Sequence, residues 1–144
     1  MSKKKVQVWI ACISKNEELS YLMFKLVPKR GEGWHPVTGG VEKGEELLVA
    51  AKRETCEETG IPEDAGTWVD LDFSYSFEGR WGKAEEHAFG LILKGSKPKI
   101  TLDPKEHTDC KWVSFEEAKK ALGFEPQRSA LELLSCYFKK HGAS

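Results

Sequence analysis

A chain of 144 residues can bury a core without disulfide or metal staples, and a composition of 40% hydrophobic and 31% charged residues excludes a disordered or membrane-embedded protein. With 22 Lys and Arg against 23 Asp and Glu the formal net charge is -1, which excludes a general attraction to nucleic acid but not a locally basic groove for RNA. The longest apolar runs, residues 6–13 and 88–93, are too short to span a bilayer.

The basic start, Lys3-Lys4-Lys5, is not followed by an apolar run of signal-peptide length, because Lys15, Asn16, Glu17 and Glu18 intervene; a cytoplasmic protein is expected. Residues 6–13 and 21–27 are rich in β-branched and aromatic side chains, and the polar stretch 14–20 between them predicts a hairpin. Residues 28–36 form a glycine-containing loop with Lys29, Arg30, Trp34 and His35, leading to a tight backbone path at Gly39-Gly40. From Glu45 to about Thr59 the pattern becomes helical, with Leu47, Leu48, Ala51 and Thr55 on one side and Gly60 as terminator. Strands are expected at 68–77 and 87–93, separated by a glycine-rich, charged loop, and a short one at 111–113. A helix at 115–122 follows, and a last one begins near Pro126 and carries Leu131, Leu133, Leu134, Tyr137 and Phe138. No repeat or linker divides the chain, so one mixed α/β domain over residues 1–144 is expected. Cys12, Cys56, Cys110 and Cys136 are scattered singly, without metal-site spacing, and are expected as buried thiols.

The chemistry concentrates on the first helix. Glu54, Glu57 and Glu58 stand at i, i+3 and i+4 and converge on one helical face. Bare, they repel one another, and Glu57 and Glu58 lie near the C-terminal end, where the helix dipole disfavours anions. A solvated acidic face is the commonplace explanation of such spacing; a hard divalent cation bound by carboxylate oxygens, Mg²⁺ or Mn²⁺, is the functional one. Context favours the cation: Gly39 and Gly40 allow backbone to approach a ligand, and Arg53 can pin carboxylates by bidentate contact.

Residues 39–61 resemble the 23-residue signature of the Nudix hydrolases, matched by Gly39, Glu45, Arg53, Glu54, Glu57, Glu58, Gly60 and Ile61. Chance agreement of the seven fixed letters at a given start is on the order of 10⁻⁸. Thr55 departs from the pattern, standing where the family has a bulky aliphatic residue. The resemblance implies an α/β/α sandwich with a mixed β-sheet and a loop-helix-loop catalytic element. It implies Glu54, Glu57 and Glu58 as metal ligands, Glu45 in support, Arg53 as their organiser, and two or three Mg²⁺ ions when substrate is bound, with Mn²⁺ as a substitute. Several relatives dimerise, so a homodimer is one of the states left open.

Family analogy also guides the rest of the site. The general base can be Glu57 or Glu54, or a glutamate outside the signature. Glu106 and Glu86 are the candidates there, with Glu106 preferred as base and Glu86 as an additional metal ligand. His87 and His107 are expected in ordinary surface or hydrogen-bonding roles. Lys29, Arg30 and Arg80 are candidate phosphate contacts, and Trp34 and Trp81 candidate contacts to a flat ring, each against an equal expectation of plain surface charge or core packing; core packing is favoured for Phe77. The stretch 34–40, with Glu106-His107 and 111–113, resembles the small triphosphate-cleaving branch, without the large N-terminal domain of ADP-sugar hydrolases. The expected activity is release of pyrophosphate from a purine-type triphosphate, either a free (d)NTP or the 5′ end of RNA. Hydrolysis of a nucleoside diphosphate sugar or dinucleoside polyphosphate is the alternative enzyme, and an inactive nucleotide-binding regulator the alternative of another class.

Overall fold

The computed structural model describes residues 3–28, 33–79 and 82–141. Its central strand is β1 (Lys3–Ile13), in which both faces from Val6 onwards are buried. That burial follows from its position: β6 (Gly82–Lys94) runs parallel to it along its whole length on one side, and two antiparallel strands share the other. β2 (Leu19–Leu26) pairs with the end of β1, from Ile10 opposite Leu22 to Ile13 opposite Leu19. The two strands then diverge, and the gap is filled by β3 (Trp34–His35), bonded to β2, and β4 (Val37–Gly40), bonded to β1. β5 (Thr67–Gly79) lies beyond β6, and β7 (His107–Val113) beyond β2.

Alternation along β1 sends successive side chains to opposite layers. Val6, Val8, Ile10 and Cys12 pack with Ala50 and Ala51 of α1 (Leu47–Thr59) and with Ile61. Trp9 and Ala11 pack on the other face with Ala118 of α2 (Phe115–Ala121) and Ala130, Leu131 and Leu134 of α3 (Glu125–His141). Each fully buried Leu or Ile contributes roughly 1.5–3 kcal/mol relative to an exposed one, so the two layers together fix the register of β1. This is the α/β/α sandwich with a mixed sheet that the resemblance implied.

Several boundaries differ from the expectation. The stretch between residues 77 and 87, expected as a glycine-rich loop, is largely sheet, because β5 and β6 pair as far as Gly79 opposite Gly82. Ser74, Tyr75, Ser76 and Phe77 alternate, as do Ala84, Glu85 and Glu86, and that period extends both strands; a bulge between Asp70 and Ser74, with Asp72 at φ 50°, absorbs the register shift. Strand β7 begins at His107 rather than at 111. Helix α1 begins at Leu47, since the Glu45 carboxylate is engaged by the Glu42 backbone N–H and by Arg53. Leu48 and Leu133 are 37% and 39% exposed and fall outside the packed faces. Of the four cysteines, all free, only Cys12 is buried; Cys56 and Cys136 are exposed on the outward faces of α1 and α3, which corrects the expectation of buried thiols. No helix among the described residues is long and apolar enough to cross a membrane.

Candidate active site

The acid-bearing helix is held at its C-terminal end by local chemistry. Gly60 adopts φ 77°, the left-handed conformation that costs a glycine little, and its N–H bonds the Cys56 carbonyl at 2.9 Å. The Thr59 hydroxyl donates to the Thr55 carbonyl at 2.6 Å and accepts from the Ile61 N–H at 3.0 Å. Thr55 itself is 1% exposed, and its hydroxyl has no hydrogen-bond partner, so the departure from an aliphatic residue leaves a buried polar atom.

Arg53 connects the loop to the helix. Its guanidinium donates to both Glu45 oxygens at 2.8 and 2.9 Å, to Glu54 Oε1 at 2.9 Å and to the Gly40 carbonyl at 2.9 Å, and it reaches Glu57 at 3.4 Å. The charge-assisted pair holds the Glu45 carboxyl down at about 2 and pushes Arg53 above its ordinary value. Gly39 is required by the approach of Glu54: a Cβ there would stand 2.2 Å from the Glu54 carboxyl carbon.

Glu58 has the most perturbed environment. It is 5% exposed, its Oε2 is buried without a hydrogen-bond partner, and its Oε1 lies 4.0 Å from Nε2 of His107. Burial, and then repulsion from Glu54, Glu106, Asp103 and Glu57, push its carboxyl up to about 9. Glu54 is raised by burial as well, with Arg53 opposing the shift. Among the described residues no three His, Cys, Asp or Glu side chains close tightly enough to cage an ion unaided. The donor set nevertheless fits Mg²⁺, which keeps several waters and shares its shell with phosphate oxygens: mutually repelling carboxylates with one orphaned buried oxygen are what a hard cation relieves.

These groups border a cleft of about 1010 Å³. Glu54, Glu58, Glu86 and Glu106 line it, as do Trp34, Gly39 and Gly40, so seven residues expected from the sequence meet on one wall system. Glu57 is exposed on the same helix. Lys29, Arg30, Arg80 and Trp81 lie outside the described residues. Trp34 is half-buried, with the Lys111 ammonium 4.2 Å from its ring centroid. Phe77 lines the cleft rather than filling the core, with the Lys5 ammonium 5.8 Å from its ring. Glu86 is inside β6 rather than at a strand start; it accepts from the Gln7 amide at 3.0 Å and from the Tyr75 hydroxyl.

Other participants were not singled out from the sequence. Asp103 is one of the charges acting on Glu58 and could have been noticed as an acid three residues before Glu106. Gln7 and Tyr75 gave no signal, because they meet Glu86 only through the parallel register of β1 with β6 and the pairing of β5 with β6. His107 is not at the surface: it is 2% exposed, packed 4.9 Å from Phe24 and 5.2 Å from His35 between ring centroids, with neither ring nitrogen hydrogen-bonded. His87 makes the ordinary contact expected of it, 2.7 Å to Asp70.

Comparison with known proteins places this geometry. The RNA pyrophosphohydrolase of Bartonella clarridgeiae is 30% identical over 100 residues, covering 58% of this chain and 58% of that protein. The first curated relatives are longer proteins, of which the chain spans between 32% and 58%. Among solved structures, the dihydroneopterin triphosphate pyrophosphohydrolase of E. coli superposes with a TM-score of 0.75 at 25% identity, covering 92% of this chain and 95% of that one. A C. elegans Ap4A hydrolase in a binary complex reaches a TM-score of 0.81 at 22% identity, covering 96% and 98%. The NUDIX domain model matches residues 3–134, from the first residue of β1 into α3. The chain belongs to the Nudix family.

Proposed function

We propose that this chain is a divalent-metal-dependent pyrophosphohydrolase that cleaves a purine-type triphosphate, a free (d)NTP or a 5′-triphosphorylated RNA end, and releases pyrophosphate. The observation that carries the reading is the orphaned, repelled Glu58 carboxyl beside the Arg53-held Glu54, both opening on a cleft large enough for a nucleotide. The names of the Bartonella and E. coli relatives support pyrophosphate-bond cleavage. One domain acting in the cytoplasm, as a monomer or a homodimer, is the accompanying expectation.

Glu54, Glu57 and Glu58 would hold the cation. A bound Mg²⁺ supplies neutralisation of the phosphates and a more acidic water. The chain's own residues do the positioning. Arg53 fixes Glu54 against Glu45 and the Gly40 carbonyl, and Gly39 leaves the space in which Glu54 lies. Glu106, lining the cleft close enough to act on both Glu54 and Glu58, is the proton acceptor. Water adds to phosphorus, the bridging P–O bond breaks, the proton passes to Glu106, and pyrophosphate leaves with the electron pair of that bond.

The test is Mg²⁺-dependent turnover of dGTP, GTP, ATP, dihydroneopterin triphosphate, 5′-triphosphorylated RNA, ADP-ribose, UDP-glucose and Ap4A, resolving pyrophosphate from phosphate. Pyrophosphate released from a triphosphate by the wild type and lost in Glu57→Gln is the expected result. Turnover confined to ADP-ribose, UDP-glucose or Ap4A refutes the triphosphate assignment, and binding without turnover of any of them refutes the enzyme.

A further inference from the structure

The acids lining the cleft divide into two groups. The charges that raise Glu54 and Glu58 come from their own helix, α1, and from Asp103 and Glu106. Glu86 is not among them. It stands on β6, opposite Lys5 of β1 and Tyr75 of β5, on the face of the sheet that carries Gln7 and Phe77.

Its surroundings are those of a recognition group. Glu86 is 3% exposed yet forms part of the cleft wall. The Tyr75 hydroxyl and the Gln7 amide both donate to one oxygen, Oε2, which fixes the carboxylate and leaves Oε1 outside both bonds. Gln7 is completely buried, and the half-buried Tyr75 packs against Phe77 and Phe124, which hold the two donors in place. Aromatic rings gather beside it: Phe77 stacks 5.7 Å from Tyr75, Phe124 meets Tyr75 edge-on at 5.6 Å, and Trp34 lines the same cleft. Phe124 is 43% exposed and lines the cleft, so its ring is available to a flat partner.

We propose that Glu86, fixed by Tyr75 and Gln7, is a specificity-determining residue that reads a ring carrying adjacent N–H and NH2 donors, as guanine and pterin do, and rejects adenine. A carboxylate only accepts hydrogen bonds. The guanine or pterin edge presents a ring N–H and an exocyclic NH2 side by side, and both can donate to it. Adenine presents an NH2 beside a ring nitrogen lone pair, which the carboxylate repels. The discrimination arises because the wrong base leaves a buried polar group unpaired. This assignment rests on the pyrophosphohydrolase reading for its substrates but makes a separate demand on binding.

The experiment measures kcat/KM for dGTP, dihydroneopterin triphosphate and dATP in the wild type, Glu86→Gln and Tyr75→Phe, together with calorimetric binding of GMP and AMP, which needs no turnover. The wild type is expected to favour dGTP or dihydroneopterin triphosphate over dATP by about ten- to hundredfold, the range of one charge-assisted hydrogen bond. Which of the two preferred substrates is faster identifies the source of the ring. Glu86→Gln places an amide where the carboxylate stood and should bring the preference to near unity or reverse it. Tyr75→Phe, which releases the carboxylate without changing its chemistry, should shift it the same way by less, and it carries the test if Glu86→Gln does not fold. An unchanged dGTP-to-dATP ratio, with all rates falling together, overturns the proposal in favour of metal binding or a structural role. If no triphosphate is cleaved but GMP binds in preference to AMP through Glu86, the ring reading stands and the cleavage reading falls.

Discussion

Replacing Gly39 with alanine tests the architecture of the site with a single methyl group. The new Cβ would lie 2.2 Å from the Glu54 carboxyl carbon and 2.4 Å from its Oε2, whereas ordinary contact begins at 3.4 Å, so the carboxyl must retreat by roughly 1.2 Å. Glu54 is a flexible side chain and will move rather than break the fold, and Gly39 is not in the left-handed region that would penalise alanine. The retreat takes Glu54 off its 2.9 Å bond to Arg53 and away from the position proposed for holding the cation. Displacement of a reacting or positioning group by about 1 Å costs about 10²-fold in rate. Gly39→Ala is therefore expected to lower kcat for pyrophosphate release by about that factor, with a melting temperature within a few degrees of wild type by calorimetry. Gly40→Ala is the comparison: a Cβ there meets no protein atom within 4 Å and leaves Glu54 in place, so turnover should fall by less than in Gly39→Ala. Full activity in Gly39→Ala, or equal losses in the two variants, would refute the reasoning.

Two further outcomes follow from the same contacts. Arg53→Lys keeps the charge but cannot grip both Glu45 oxygens, Glu54 and the Gly40 carbonyl together; turnover should fall by about ten- to hundredfold, the scale of one to two lost charge-assisted bonds, and an unchanged kcat would remove Arg53 from the role of organiser. His35 is 8% exposed, and burial first, then His107 and Lys5, push its pKa down to about 3. The unfolded chain protonates near 6.5 and the folded one near 3, so the stability His35 contributes is complete above the unfolded value and declines as pH falls through that window. The slope is up to about 1.4 kcal/mol per pH unit. Urea titrations from pH 7 to 4 should show a shallower decline in His35→Asn, and parallel curves would show that His35 is not the group responsible.

The sequence was most legible where local chemistry decides structure. The polar segment between two β-rich runs made the β1–β2 hairpin readable, and Gly60 marked the helix end because the backbone there needs φ 77°. The spacing of Glu54, Glu57 and Glu58 told of shared charge because helix geometry alone brings them together. Reading failed where long-range pairing decided. Gly79, Gly82 and the nearby charges looked like a loop, whereas strand pairing carries through them. Phe77 was expected in the core because strand residues usually are, and only the sheet face it shares with Glu86 reveals that it lines the cleft. Gln7 and Glu86 are 79 residues apart and meet by parallel register, which no local pattern encodes. Cys56 and Cys136 were misplaced because average burial of thiols says nothing about which face of a helix holds them.

The parallel pairing of β1 with β6 also constrains how the molecule assembles. The central strand comes from the N-terminal end of the described chain, but the partner that flanks it along its whole length extends from Gly82 to Lys94. During synthesis β1 can form its hairpin with β2 early, yet its other edge stays unpaired until residue 94 has left the ribosome. Closing so large a loop is entropically slow, and the waiting edge is apolar from Val8 to Ile13, the kind of segment that chaperones cover and aggregates recruit. The strand that anchors both cores thus waits for its second neighbour until well over half of the sequence has been made.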